Sequence, residues 1–158
     1  MGDTLTLDTV SAEATEALGQ ALAVLLPPGA MVALRGDLAT GKTCLVRGMA
    51  AHCADRAPVH SPTFTLVNAY GPEGRLVHID LYRLTGPEEV AALGYEELFE
   101  PEGVCVVEWA DRAEGLLPAR RLDIQLTHAG GDRRRIALAD HGVLPPDWRD
   151  RLHAARRV

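Results

Sequence analysis

The eight residues Gly36-Asp37-Leu38-Ala39-Thr40-Gly41-Lys42-Thr43 constrain this chain more than any other stretch. They fit G-x-x-x-x-G-K-[ST] at every fixed position, and the setting gives the pattern its weight. Before it runs Ala30-Met31-Val32-Ala33-Leu34, a continuous apolar segment that reads as a strand buried on both faces of a covered parallel sheet. After it, Lys42 to Cys53 reads as a helix. In a strand–loop–helix of this kind, consecutive backbone N–H groups and a helix N-terminus converge on one anion. Glycine at 36 and 41 keeps a Cβ out of the turn. Lys42 then reaches the β- and γ-phosphates of ATP, and the Thr43 hydroxyl ligates Mg²⁺. The nucleotide-binding segment spans Gly36, Asp37, Leu38, Ala39, Thr40, Gly41, Lys42, Thr43 and Cys44.

Composition sharpens this. Of the 16 basic residues, Lys42 is the only lysine. Arginine is a broad planar fork and lysine a compact ammonium on a thin stem, so the position that keeps lysine is narrow. The net charge of -6 argues against a general nucleic-acid sleeve, which needs a basic surface. Arginines do cluster late, at Arg133-Arg134-Arg135 and at Arg149, Arg151, Arg156 and Arg157. They form either a solvated face or a contact for phosphate, an acidic partner or RNA. Cys44, Cys53 and Cys105 form no C-x-x-C pair and cannot make a closed disulfide set, as fits reduced thiols. No basic-then-apolar leader and no membrane-length apolar run occurs, so a cytoplasmic location without membrane attachment is expected.

The rest of the chain builds an α/β domain. Leu5 and Leu7 alternate with threonines as a short strand. Ser11 caps a helix carrying Leu18, Ala21, Leu22 and Leu25 on one face, which Pro27-Pro28-Gly29 ends. Phe64–Tyr70 and Leu76–Asp80 flank Gly71-Pro72-Glu73-Gly74 as a hairpin. Pro87-Glu88-Glu89 opens a helical stretch interrupted at Gly94, with one more possible turn from Tyr95 to Phe99. Val104–Val107 is a second apolar strand, ending in Glu108. Leu122, Ile124 and Leu126 alternate with polar residues and return through Gly130-Gly131-Asp132 to Ile136 and Leu138. Pro145 to Val158 closes as a short helix. The expected fold is P-loop NTPase-like, in a single domain over 1–158. Its mixed sheet has central parallel strands and antiparallel edge hairpins, with helices on both faces.

A P-loop needs an acid to hold the Mg²⁺ shell or orient water. Asp80 and Glu108 both end apolar strands, where such acids belong. Either could be the metal ligand and either could handle water. Ser61-Pro62-Thr63-Phe64 lies where a γ-phosphate-sensing switch can sit, with Thr63 supplying the hydroxyl; it could equally be a Ser-Pro turn. His78, two residues before Asp80, reads as a core or supporting histidine. Trp109 either joins the core or covers the nucleotide.

Together these residues resemble one family, the bacterial tRNA threonylcarbamoyladenosine biosynthesis ATPase TsaE (YjeE). The resemblance is carried by Gly36 to Thr43 with Arg47-Gly48, Ser61 to Asn68, His78-Ile79-Asp80-Leu81-Tyr82-Arg83-Leu84, Leu93-Gly94 and Val107-Glu108-Trp109-Ala110, in that order across most of the chain. It implies an ATPase, slow alone, that works with a threonylcarbamoyl transferase and that enzyme's paralogous scaffold protein. Their target is the adenosine beside the anticodon of tRNAs reading codons that begin with A. The ATPase does not perform the transfer itself, and its contact with tRNA is indirect. By motif, Lys42 and Thr43 serve phosphate and Mg²⁺, Glu108 the Mg²⁺ shell, Asp80 is the second acid and Thr63 the switch. Ser11 lies near the adenine. The family usually has Gly-Ala where this chain has Ala39-Thr40, which bears on loop tightness and hydrolysis rate. A small-molecule kinase and a non-hydrolysing, nucleotide-gated binding module are the alternatives that share the P-loop.

Overall fold

A computed structural model describes residues 3–37, 40–53, 67–71, 75–94, 96, 99 and 103–156. Leu38, Ala39 and Thr63 lie outside the described residues, as do most of the Ser61–Asn68 segment and the tip of the first hairpin. Among the described residues, seven strands form one sheet: β1 Asp3–Thr9, β2 Met31–Arg35, β3 Val67–Tyr70, β4 Leu76–Asp80, β5 Val104–Glu108, β6 Leu122–His128 and β7 Arg134–Asp140. Their order is β1-β7-β6-β2-β5-β4-β3. β2 runs parallel to β5 and β6, and β4 runs parallel to β5. The β3–β4 and β6–β7 pairs are antiparallel, and β1 adds to β7 in the same sense. The mixed sheet read from the sequence is therefore present, with the most apolar strands, β2 and β5, at its centre. Every residue of β5 is buried.

Helices α1 (Ala12–Leu25), α2 (Lys42–Cys53) and α4 (Trp148–Arg156) belong to one face of the sheet, where Leu18, Leu22, Leu45, Met49 and Trp148 pack over Val32, Leu34, Val106 and Ile124. The opposite face carries the short α3 (Pro87–Ala91) and a 3-10 turn at Ala110–Ala113, over Met31, Ala33, Cys105 and Val107. Ser11 caps α1: its hydroxyl oxygen accepts from the Ala14 N–H at 3.0 Å. Asp3 ties the chain's two ends together by accepting from Trp148 Nε1 at 3.1 Å and from Arg149. Among the described residues, no helix is long and apolar enough to cross a membrane.

Parallel β2, β4 and β5 all end on the same side, the side on which α2 begins. Strand direction alone thus brings Asp80, Glu108 and the loop after Arg35 to one edge.

Candidate functional site

The glycine loop leaves β2 at Arg35 and enters α2 at Lys42. A Cβ on Gly36 would stand 2.6 Å from the Leu126 carbonyl oxygen and 2.8 Å from Thr40 Oγ1, so the loop is pressed against β6 where no side chain fits. Gly41 has φ +100, a conformation glycine adopts without strain. Thr40 is buried, and its hydroxyl donates to the Asp37 carbonyl at 2.8 Å, closing the loop on itself. Thr43 is half-buried in the first turn of α2.

Lys42 is 6% exposed. Its ammonium donates to the Gly36 carbonyl at 2.5 Å and stands 4.0 Å from the centre of the Trp109 ring. Burial pushes its pKa below the usual lysine value, while the carboxylates of Glu108 and Asp80 act in the opposite direction. Trp109 reaches this place through a left-handed backbone (φ 58, ψ 44) directly after β5. Such a conformation is uncommon for a bulky residue, and it turns the indole over the lysine. Tyr82 packs on the same indole with ring centres 5.1 Å apart.

Asp80 and Glu108 are register partners across β4 and β5, each 3% exposed. Asp80 Oδ1 accepts from the Tyr82 N–H at 2.9 Å, and the Glu108 backbone carbonyl accepts from Leu81 N–H at 3.1 Å. The Glu108 side chain turns back along the sheet to His78, with Oε2 2.6 Å from Nε2. One ammonium thus faces two buried carboxylates, a local excess of negative charge that suits a divalent cation. Among the described residues no group of three or more His, Cys, Asp and Glu is arranged to hold a metal by itself. A cation here would draw on Thr43, one or both acids, phosphate oxygens and water. These are hard oxygen donors in the small number of protein ligands that Mg²⁺ usually accepts. The donor set therefore fits Mg²⁺ with a nucleotide.

The structure brings Gly36, Lys42, Asp80 and Glu108 together. It places Ser11 at the start of α1, with its hydroxyl oxygen engaged in the cap. Cys44 lines a small cavity of about 40 Å³ with Ala12, Thr15, Gly41, Asp132 and Arg134. Arg134 was legible in sequence only as one of three consecutive arginines. In the fold these diverge. Arg134 approaches Gly41 and bonds the Gly131 carbonyl at 2.7 Å, Arg135 pairs with Asp8 at 3.1 Å, and Arg133 is exposed. His78, read from the sequence as a core or supporting histidine, lies two residues from Asp80 on β4, which puts both on one face.

A family model described as "Threonylcarbamoyl adenosine biosynthesis protein TsaE" matches residues 9–136. The tRNA threonylcarbamoyladenosine biosynthesis protein TsaE of Bacillus subtilis (strain 168) is 40% identical over 136 residues, covering 85% of this chain and 84% of that one. The protein of the same name from Treponema pallidum is 38% identical over 129 residues, covering 82% and 96%. The crystal structure of YdiB from Bacillus subtilis superposes with a TM-score of 0.75 at 31% identity, over 99% of this chain and 97% of that one. With this match over most of its length, and with a P-loop NTPase-like fold, the chain belongs to the TsaE family of tRNA threonylcarbamoyladenosine biosynthesis.

Proposed function

We propose that this chain is a cytoplasmic, single-domain ATPase that binds ATP with Mg²⁺ and drives a partner-dependent step in tRNA threonylcarbamoyladenosine formation. The observation that carries the reading is the single lysine of the chain, buried at the start of α2 beside two acids that end adjacent parallel strands. The glycine loop and the α2 N-terminus present backbone N–H groups to the phosphates. Lys42 exchanges its bond to the Gly36 carbonyl for phosphate oxygens, which releases it from the Trp109 face. Thr43 and Glu108 would hold the metal shell, and Asp80 would orient the attacking water. A bound Mg²⁺ would supply positive charge against that developing on the terminal phosphates. Thr63 acts as the switch that reports the γ-phosphate. Cys44, Thr15 and Arg134 line the nucleoside side, close to Ser11.

The family's pathway supplies the rest of the proposal. The partners are the threonylcarbamoyl transferase and its paralogous scaffold, the target is the adenosine beside the anticodon of tRNAs reading codons that begin with A, and tRNA is contacted through those partners. The net charge of -6 and the separation of Arg133, Arg134 and Arg135 into different roles support an indirect contact. Three free cysteines are consistent with a reducing cytoplasm.

The test is ATP turnover by the chain alone and with both purified partners plus tRNA, in wild type, Lys42→Ala and Glu108→Ala. Turnover should be slow alone, rise with the partners, and fall about 100-fold or more in both variants, as when a main electrostatic contact to a transition state is removed. Turnover stimulated instead by one metabolite would establish a kinase. ATP binding with no stimulated turnover would leave a nucleotide-gated module.

A further inference from the structure

We propose that His78 is the positioning residue for Glu108, setting the carboxylate orientation on which the Mg²⁺-dependent part of nucleotide binding depends. The inference rests on the ATP–Mg²⁺ reading above. His78 is fully buried in β4 with Nδ1 unpartnered among the described residues, so the imidazole carries a desolvation cost that an aliphatic side chain would not. Its register partner is Val106, two residues before Glu108 on the same face of β5. Glu108 could extend past the end of its strand, as its register partner Asp80 is placed to do. Instead its side chain folds back to His78, Oε2 to Nε2 at 2.6 Å, with both side chains almost without solvent.

A buried pair of this kind contributes little net stability, because desolvation of the carboxylate offsets most of the attraction. Its effect is geometric. A carboxylate can only accept, so the imidazole donates through Nε2. Its Nδ1 is buried and has no hydrogen-bond partner among the described residues. The whole polar capacity of the ring is therefore directed at one carboxylate oxygen. No second side-chain hydrogen bond to Glu108 comes from the described residues, which leaves the other oxygen for the metal shell. Groups that orient a metal-binding side chain in this way typically change metal affinity 10- to 100-fold when removed.

Three chains separate the roles: wild type, His78→Leu, which keeps bulk and removes the donor, and His78→Gln, whose amide can donate from near the Nε2 position. Calorimetric titration with the non-hydrolysable ATP analogue AMP-PNP is run once with Mg²⁺ and once with EDTA. In His78→Leu the ratio of Mg²⁺ to EDTA affinity should fall by about tenfold, with the EDTA affinity retained, and His78→Gln should restore most of it. In the wild-type chain, ring-nitrogen NMR should show the Nε2–H tautomer, with its resonance shifting when Mg²⁺ is added to the AMP-PNP complex. The proposal is overturned by an unchanged ratio in His78→Leu, by equal losses with and without metal, or by His78→Gln behaving as His78→Leu. Should His78→Leu fail to fold, a wild-type His78 resonance that ignores Mg²⁺ overturns it too. Failure of the wild type to bind AMP-PNP at all overturns the nucleotide reading itself, a distinct result.

Discussion

Replacing Gly48 by alanine measures how closely α1 and α2 are pressed together, and through them how the P-loop helix is held. A Cβ at residue 48 would lie 1.8 Å from the Glu16 carbonyl oxygen, and the reciprocal position, Gly19, would put one 2.1 Å from the Leu45 carbonyl oxygen. Ordinary contact begins near 3.4 Å, so α1 would have to back away from Gly48 by about the 1.6 Å difference. Both obstacles are helical backbone, which cannot swing aside as a side chain tip can. Retreat loosens Leu18 and Leu22 against Leu45 and Met49, and gaps of 0.5–1 Å forfeit roughly a quarter to a half of each contact's attraction. Overpacking of this kind costs about 3 kcal/mol, and the better helix propensity of alanine returns about 1 kcal/mol. The net loss is about 2 kcal/mol, which for a chain of this size lowers Tm by about 4–8 °C. Differential scanning calorimetry reads this directly. Gly86→Ala is the matched control: its φ of 173 is ordinary extended backbone and nothing lies within 4 Å of the added Cβ, so its effect should stay within about 0.5 kcal/mol. Gly48→Ala melting at or above wild type would refute the close helix crossing.

Two further outcomes follow from particular side chains. Cys105 is fully buried in β5, and burial pushes its thiol up to about 12, whereas Cys44 is half-buried beside Gly41. Iodoacetamide should therefore label Cys44 and spare Cys105 in the folded chain, and ATP should slow labelling of Cys44; mass spectrometry showing modified Cys105 before unfolding would contradict this core. Asp123 accepts from Arg35 and Arg121 at 2.9 Å each and pairs with His141 at 3.0 Å. Desolvation raises its pKa, but the Arg121 and Arg35 hydrogen bonds outweigh that and leave it lowered from 3.8. A depressed folded pKa means the stabilisation is present above 3.8 and is lost as pH falls below it. Asp123→Asn should cost about 1–2 kcal/mol at neutral pH and flatten the decline in stability below about pH 4; denaturant titrations at pH 7 and pH 3 giving equal losses would refute the assignment.

Much of this fold is local and was therefore legible in the sequence. The Ser11 cap, the start of α2 at Lys42, the apolar β2 and β5 and the Gly130-Gly131 return each depend on a few neighbouring residues. The position of the glycine loop between β2 and α2 is legible for the same reason, since Gly36, Gly41 and Lys42 are near neighbours in the sequence. Asp80 and Glu108 could be singled out as strand-terminal acids, because strand ends can be read from apolar runs.

Facts that join distant segments could not be read in this way. That Asp80 and Glu108 are register partners depends on β4 pairing with β5. That Glu108 bends back to His78 depends on the same pairing, because one strand presents the imidazole beside the next strand's carboxylate. The left-handed turn that brings Trp109 over Lys42, and the hairpin that carries Arg134 to Gly41 while Arg135 stays with Asp8, are also set by packing. Sequence by itself determined that a glycine loop of P-loop pattern sits between a buried strand and a helix, with two acids at strand ends. Tertiary structure alone decided which groups face the lysine and which carboxylate has a histidine behind it. Strand order and register are fixed by long-range burial of apolar faces, and no local run of residues encodes them.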